Sequence, residues 1–282
     1  MSVGLVVEGG GMRGIFAAGV LDYLMDQEIV FPNIIGVSSG ATHACSYASG
    51  QRGRAFEAFT DFLDDPEFCS VRNLRKTGDY YGVDFVYHKI PEKLYPLDQG
   101  GMEKRGICFR VVATNCITGK AEYPQVSDLR TDLEFIRASS AQPLAARMVP
   151  IDGYVYMDGA VADAIPVRYA LENNEKAVVI LTQPEGYRKN PLQPLMPMLR
   201  VRYRRYPRFL ETLAASNRNY NRTLDYLDEQ IGAGKAFVIA PMGPLNIAPT
   251  QKDLRKLKRA YDEGYFVAEG LGEKLKEFIG DM

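Results

Sequence analysis

"VGLVVEGGGMRG" spans Val3–Gly14, and its reading decides the fold. The apolar run Val3 to Glu8 has the length and composition of a short buried strand, and the glycines after it are a turn. "IFAAGVLDYLMDQ" follows, with Ile15, Val20, Leu21, Leu24 and Met25 at helical spacing. "NIIGV" reads as a second short strand ending at "SSG", and the small residues of "ATHACSYA" suit a helix packed closely on a sheet. Strand–helix–strand–helix at this pace predicts βαβ units and a parallel sheet. The glycine run itself, Gly9, Gly11 and Gly14, has the G-x-G-x-x-G spacing that can cradle a dinucleotide pyrophosphate.

A dinucleotide site needs a carboxylate at the end of the second strand to hold the ribose. Here that strand ends in Gly36-Val37-Ser38, while Asp26 and Glu28 lie before it, and no G-K-[ST] Walker sequence is present. What stands at the strand end is "GVSSG", Gly36 to Gly40, a G-x-S-x-G with Ser38 at its centre. Between a strand and a helix this pattern makes a nucleophile elbow, in which the turn lifts the hydroxyl above the sheet. The helix N-terminus then offers N–H groups and positive dipole to a developing oxyanion. Loops after neighbouring parallel strands converge at one sheet edge. The run is therefore better read as an oxyanion hole: the N–H groups of Gly9, Gly10 and Gly11 would face the oxyanion formed when Ser38 attacks an ester. A tight turn without a ligand is the plainer alternative.

The base for Ser38 is constrained by histidine supply. The chain has two, His43 and His88, so an order of Ser, Asp, then His has no histidine to close it. His43 falls five residues past Ser38 on the following helix and reads as a packed or surface residue. His88 falls in an aromatic segment with no supporting spacing. Asp158, in "YMDGA", ends an expected strand and is followed by Gly159, which lets the chain turn. A carboxylate acting directly on serine makes a dyad. An aspartate of ordinary pKa, about 3.9, is a weak base, and burial that raises it would help. The bland alternative is a turn aspartate at a strand end.

"EGGGMRG", "GVSSG" and "MDGA", in this order, resemble the patatin-like phospholipase family, with G-x-G-x-x-G, G-x-S-x-G and D-G-[GA]. "ASSAQPLAARMVPIDGYVYMDGAVADAIPV", Ala138 to Val167, is similar to that family's approach to its aspartate, including the Pro143 turn. The resemblance covers about residues 3–171. It implies an α/β, three-layer α/β/α patatin-like fold with a mostly parallel central sheet. Residues 3–171 would be the catalytic domain, and residues 172–282 a largely helical C-terminal extension packed on it. It further implies hydrolysis of a lipid carboxylic ester through an acyl-serine, with Ser38 as nucleophile and Asp158 as base. Gly9, Gly10 and Gly11 would be oxyanion donors, with the N–H of Ser39 as a further candidate. Arg13, Gly14, Gly36, Gly40 and Gly159 would be motif support, and no metal or cofactor is expected. The sequence departs from the family pattern at Glu8, where Asp is frequent, and at Ala160, where Gly is common. Asp163 stands where Asn is frequent and suits a helix cap rather than a catalytic role.

The remaining sequence sets limits. The chain has 282 residues, 46% apolar and 24% charged, with a net charge of −1, so no global field points to nucleic acid. Cys45, Cys69, Cys108 and Cys116 form no C-x-x-C and read as free thiols of a reducing compartment. No secretory signal is evident, and no apolar run approaches the ~20 residues of a membrane span. A cytoplasmic location is expected. Residues 64–106 bring Phe68, Tyr80, Tyr81, Phe85, Tyr87 and Tyr95 together, either as the wall of an acyl pocket or as ordinary packing. Arg200, Arg202, Arg204, Arg205 and Arg208 alternate with apolar residues, suiting peripheral contact with an anionic membrane or simply a solvated helix start. Competing functions are a thioesterase or small-ester esterase, a non-catalytic acyl-chain binding protein on the same fold, and a nucleotide-binding protein.

Overall fold

A computed structural model describes residues 2–129, 131–191 and 193–280. The first half runs β1 (Val3–Val7), α1 (Ile15–Asp26), β2 (Asn33–Val37), α2 (Ser39–Ala48), α3 (Arg54–Thr60), α4 (Val71–Thr77), a π-helical stretch Phe85–Leu94, α5 (Gln99–Arg105) and β3 (Cys108–Asn115). Next come the short strands β4 (Ala121–Glu122) and β5 (Gln125–Val126), then α6 (Leu133–Ser139), β6 (Val149–Ile151), β7 (Tyr154–Asp158), α7 (Val167–Asn173) and β8 (Lys176–Ile180). The C-terminal part holds α8 (Met196–Arg202), α9 (Pro207–Gly232), β9 (Ala236–Ile239), α10 (Leu254–Gly270) and α11 (Gly272–Ile279). The sequence from Thr250 onward predicts one final helix, and the structure divides it into two, α10 and α11. The stretch "LRTDLEFIRASSA" predicts a helix from sequence, and Arg130 within it lies outside the described residues.

The sheet order is β6-β7-β3-β2-β1-β8-β9, and the five central strands β3, β2, β1, β8 and β9 are parallel. β7 pairs antiparallel with β3 and β6 with β7, so one flank reverses direction. The period-2 alternation of strand side chains divides the core. Val3, Leu5 and Val7 of β1 join Ile34, Phe109, Val178 and Ile239 in one apolar layer, under α1, α2, α10 and α11. Val6, Ile35, Val37, Val112 and Val179 point the other way, under α7 and α9. The result is the expected three-layer α/β/α arrangement.

Residues 172–280 are woven into this frame. β8 and β9 lengthen the parallel sheet, α9 covers one face, and α10 covers the other. Pro207 opens α9, where its fixed φ is already helical. Along that helix Phe209, Leu213, Ser216, Tyr220, Leu224 and Leu227 are buried, a 3.6-residue stripe facing the core. α10 starts at Asp253, whose carboxylate accepts the N–H groups of Arg255 and Lys256 at 2.9 and 3.3 Å. It crosses α1 in backbone contact, since a Cβ on Gly264 would fall on the carbonyl oxygen of Phe16. A third apolar cluster joins Met12 and Ile15 to Phe68, Phe85, Ile90 and Leu257, seating residues 54–97 over one end of the sheet. All four cysteines are free thiols. Among the described residues no helix is long and apolar enough to cross a membrane.

Candidate active site

Ser38 follows directly on β2 and holds φ 54° and ψ −128°, a left-handed conformation that costs a non-glycine residue energy. The surroundings fix that conformation. The Ser38 N–H donates to Ser139 Oγ at 2.8 Å, at the end of α6. A Cβ on Gly40 would fall on the carbonyl oxygens of Val7 and Glu8, so the turn closes only with glycine there. Gly36 meets Ala41 in the same crowded way, and Gly14 meets Ser39 and His43. The first turn of α2 then begins immediately behind the Ser38 hydroxyl.

Asp158 arrives by a route that a parallel sheet alone does not give. β7 is antiparallel, and its Asp158 pairs with Ala113, while Val37 pairs with Val112. The register therefore puts Ser38 and Asp158 at one height, on either side of Ala113. Gly159 lies against β3, where a Cβ would fall on the Val112 carbonyl oxygen. Although β7 runs against β3, it is short and stops level with the end of β2, so both residues end strands at one sheet edge.

Ser38 Oγ donates to Asp158 Oδ2 at 2.9 Å, and the two residues are 4% and 3% exposed. Asp158 Oδ1 accepts the N–H of Ala160 at 2.8 Å, and its carbonyl accepts from Thr114 Oγ1 at 2.8 Å. Burial pushes the Asp158 carboxyl up to about 6, opposed by the Ala160 N–H, the Ser38 hydroxyl and the Lys189 charge.

The glycine-rich loop lies beside Ser38. A Cβ on Gly9 would stand 2.7 Å from both Ser38 Cβ and the Val37 carbonyl oxygen. The N–H groups of Gly9 and Gly11 have no acceptor among the described residues. The Gly10 N–H donates to Ser39 Oγ at 3.0 Å and so clips the loop to the elbow. The backbone N–H of Arg13 donates to the Gly10 carbonyl at 3.2 Å, and its buried Nε has no partner among the described residues.

Glu8 anchors the loop from beneath. Burial pushes its carboxyl up, while it accepts from Thr182 N at 2.6 Å, Thr182 Oγ1 at 3.1 Å and Tyr220 Oη at 2.9 Å. Tyr220 belongs to α9, so the C-terminal region reaches the site. Pro249, between β9 and α10, accepts the Met12 N–H at 3.4 Å.

Two cavities of about 120 Å³ each open at Ser38. One is apolar, walled by Phe59, Phe68, Tyr81, Val86, Tyr87 and Ile90, so much of the aromatic segment lines a pocket as well as packing. Phe85 packs on Phe62 instead, and Tyr95 turns to Asp61. The other cavity is polar and carries Arg13, Gln142, Asp158, Gln183 and Lys189. His43 is buried edge-on to Phe59, lowered to about 4 by burial, and makes no bond to Ser38. His88 is exposed and meets Glu92. Asp163 accepts from Tyr123 Oη at 2.7 Å, away from the serine. Among the described residues no cluster of three or more His, Cys, Asp or Glu could hold a metal ion.

Sequence reading did not single out Ser139, Thr182, Lys189 or Tyr220, nor the hydroxyl of Ser39. Ser139 ends α6, and nothing in the sequence ties its hydroxyl to position 38. Lys189 and Tyr220 carry no motif, and only the tertiary arrangement brings them here.

Comparison with known proteins supplies the class. Residues 5–171 match the patatin-like phospholipase family, and the chain belongs to that family. Residues 194–280 match a domain of unknown function, DUF6363. The chain is 28% identical to the uncharacterized protein YjjU of Escherichia coli strain K12, over 98% of this chain and 79% of that protein. Among solved structures it is similar to VipD from Legionella pneumophila, at a TM-score of 0.49 and 13% identity, covering 97% of this chain and 67% of VipD. It is also similar to the type III effector protein ExoU, at a TM-score of 0.43 and 12% identity, covering 97% of this chain and 53% of ExoU.

Proposed function

We propose that this protein is a serine lipid acyl hydrolase that cleaves carboxylic esters through an acyl-Ser38 intermediate. The observation that carries the reading is the 2.9 Å bond from Ser38 Oγ to the buried Asp158 carboxylate, at the mouth of an apolar cavity. In this reading Asp158 takes the hydroxyl proton as Oγ bonds to the ester carbonyl carbon. The oxyanion is received by the free N–H groups of Gly9 and Gly11 and the positive end of α2. When the tetrahedral intermediate collapses, the proton passes from Asp158 to the departing alkoxide. Water then repeats the sequence: Asp158 takes its proton, hydroxide adds to the acyl carbon, and Ser38 leaves with the proton returned. The raised carboxyl supports this role, because a base near neutrality moves protons both ways more readily than an ordinary aspartate. The acyl chain would occupy the apolar cavity.

Access to lipid supports a peripheral membrane contact. Arg200, Arg202, Arg204, Arg205 and Arg208 are all exposed, and Met198 and Val201 beside them are 52% and 73% exposed. Cations interleaved with exposed apolar side chains suit an anionic bilayer surface.

The deciding experiment is intact mass after treatment with a fluorophosphonate probe, on wild type, Ser38→Ala and Asp158→Asn. A single adduct that is lost in Ser38→Ala and formed much more slowly in Asp158→Asn supports the dyad. Folded wild type that takes no label, or Ser38→Ala that labels equally, overturns it and brings an acyl-chain binding protein forward.

A further inference from the structure

The polar cavity holds more hydrogen-bond donors than the protein uses. Lys189 and Arg13 both line it, and neither side chain has a hydrogen-bond or ion-pair partner among the described residues. The side-chain amides of Gln142 and Gln183 are likewise unengaged among the described residues. The two carboxylates nearby are already served. Glu8 accepts from Thr182 and Tyr220, and Asp158 from Ser38 and Ala160. The Lys189 ammonium acts on both carboxylates through space but hydrogen-bonds neither of them.

Lys189 is also held in place, which a stray surface lysine is not. Its backbone N–H donates to Asn221 Oδ1 at 2.8 Å, and Asn221 Nδ2 donates back to its carbonyl at 3.0 Å. Its ammonium lies 3.9 Å from the centroid of the Tyr220 ring. Arg188, one residue earlier, turns the opposite way and pairs with Asp225 on the outer side of α9. Burial pushes the Lys189 ammonium down, while Glu8 and Asp158 push it up and Arg13 opposes them. A partly desolvated ammonium whose N–H groups have no hydrogen-bond acceptor among the described residues gains by meeting an incoming anion. Both neighbours on α9 lie within the domain of unknown function, and Lys189 itself lies beyond the phospholipase match.

Ser38, Gln142 and Pro249 line both cavities, so an ester carbonyl at Ser38 has its two halves directed into different environments. With the acyl chain on the apolar side, the alcohol half enters the polar one. We propose that this cavity is a subsite for an anionic group, a phosphate or carboxylate, carried on the alcohol half of the ester, with Lys189 as its specificity-determining residue; the assignment of halves rests on the acyl-hydrolase reading above. Arg13 brings a planar guanidinium and Lys189 a point charge to the same cavity, a donor set fitted to a tetrahedral or planar oxyanion.

The test has two arms. In the first, kcat/KM is measured for 1-acylglycerol 3-phosphate and for 1-acylglycerol with the same acyl chain, in neutral mixed micelles. Wild type is expected to prefer the phosphate ester by about ten-fold or more, Lys189→Met to lose most of that ratio, and Lys189→Arg to keep it. A ratio unchanged by Lys189→Met overturns the proposal. Equal loss on both lipids also overturns it, because Lys189 would then act only through Asp158. In the second arm, Ser38→Ala protein is titrated calorimetrically with an ether-linked, non-hydrolysable analogue of the phosphate lipid, with its neutral counterpart, and with inorganic phosphate. Binding of the phosphate lipid that falls at least ten-fold when Lys189→Met is added supports the subsite. Inorganic phosphate binding as tightly as the lipid, or lipid binding indifferent to Lys189, overturns it. Absent turnover on every ester with Lys189-dependent binding intact would count against the hydrolase reading and in favour of the anion subsite.

Discussion

The phenol of Tyr220 donates to Glu8 Oε1 at 2.9 Å across 212 residues of sequence, joining the C-terminal helix to the foot of the glycine-rich loop. Glu8 needs that donor because it is buried and, among the described residues, its carboxylate otherwise accepts only from Thr182. The departure from the family's usual aspartate has a physical correlate here. The glutamate spans from the Thr182 backbone on one side to the α9 phenol on the other. The C-terminal region thereby stabilises the loop that lies against Ser38.

Tyr220→Phe tests this link. The ring that lies beside Lys189 remains, and one donor to a buried carboxylate is lost. Leaving such an acceptor short costs about 1–3 kcal/mol. The urea midpoint should fall accordingly, with the slope unchanged. An unaltered midpoint would mean that water replaces the phenol and that the bond contributes nothing net.

The pH dependence of serine labelling follows from Asp158. Burial raises its carboxyl from 3.8 to about 6, and only the ionised form accepts the Ser38 proton. The fluorophosphonate labelling rate should therefore climb between about pH 5 and pH 7 and level off above. A midpoint near that of an ordinary aspartate would remove the argument for a tuned base. Stability runs in the opposite direction. A folded pKa above the unfolded one gives stability that is full below the unfolded value and is lost as pH rises through about 6. Asp158→Asn should then be more stable than wild type at neutral pH, by at most about 3 kcal/mol, with the difference vanishing in acid.

Much of this site was legible because its parts are local. A strand, a glycine turn and a helix fall within a dozen residues of Gly9, and Ser38 announces itself by its neighbours. Asp158 was legible for its residue type and its Gly159. The antiparallel course of β7 was not, since alternation of side chains does not encode strand direction. Lys189, Tyr220 and Ser139 were silent for a different reason. A lone lysine, tyrosine or serine acquires a role only from what the fold brings against it, here from 101 residues away for Ser139 and 212 for Tyr220. The bond of the Gly10 N–H to Ser39 Oγ is a side-chain choice that spacing does not fix.

Ser139→Ala examines how the elbow is held. The Ser139 hydroxyl accepts the N–H of Ser38 at 2.8 Å in a fully buried position. Its loss leaves that N–H without a partner and the strained Ser38 backbone free to relax. Stability should fall by about 1–3 kcal/mol. Because a small displacement of a reacting atom is costly, kcat should fall by about ten-fold or more while KM changes little. Loss of stability with kcat intact would assign Ser139 to packing alone.

The proposed membrane contact is testable apart from the chemistry at the arginine stretch. Arg204 and Arg205 are exposed in the turn between α8 and α9, away from the buried Leu199, Tyr203 and Phe209 that hold that turn. Each basic residue near an anionic surface contributes about 1 kcal/mol. Arg204→Gln with Arg205→Gln should thus lower partition onto phosphatidylserine-containing vesicles by about thirty-fold. The loss should shrink as salt is raised, because exposed charges are screened over about 8 Å at physiological ionic strength. Val201→Ser, removing an exposed apolar side chain, should weaken binding by a factor that salt does not alter. Vesicle binding indifferent to all three substitutions would return this stretch to the role of a solvated turn, with its buried aromatic residues as its contribution to the fold.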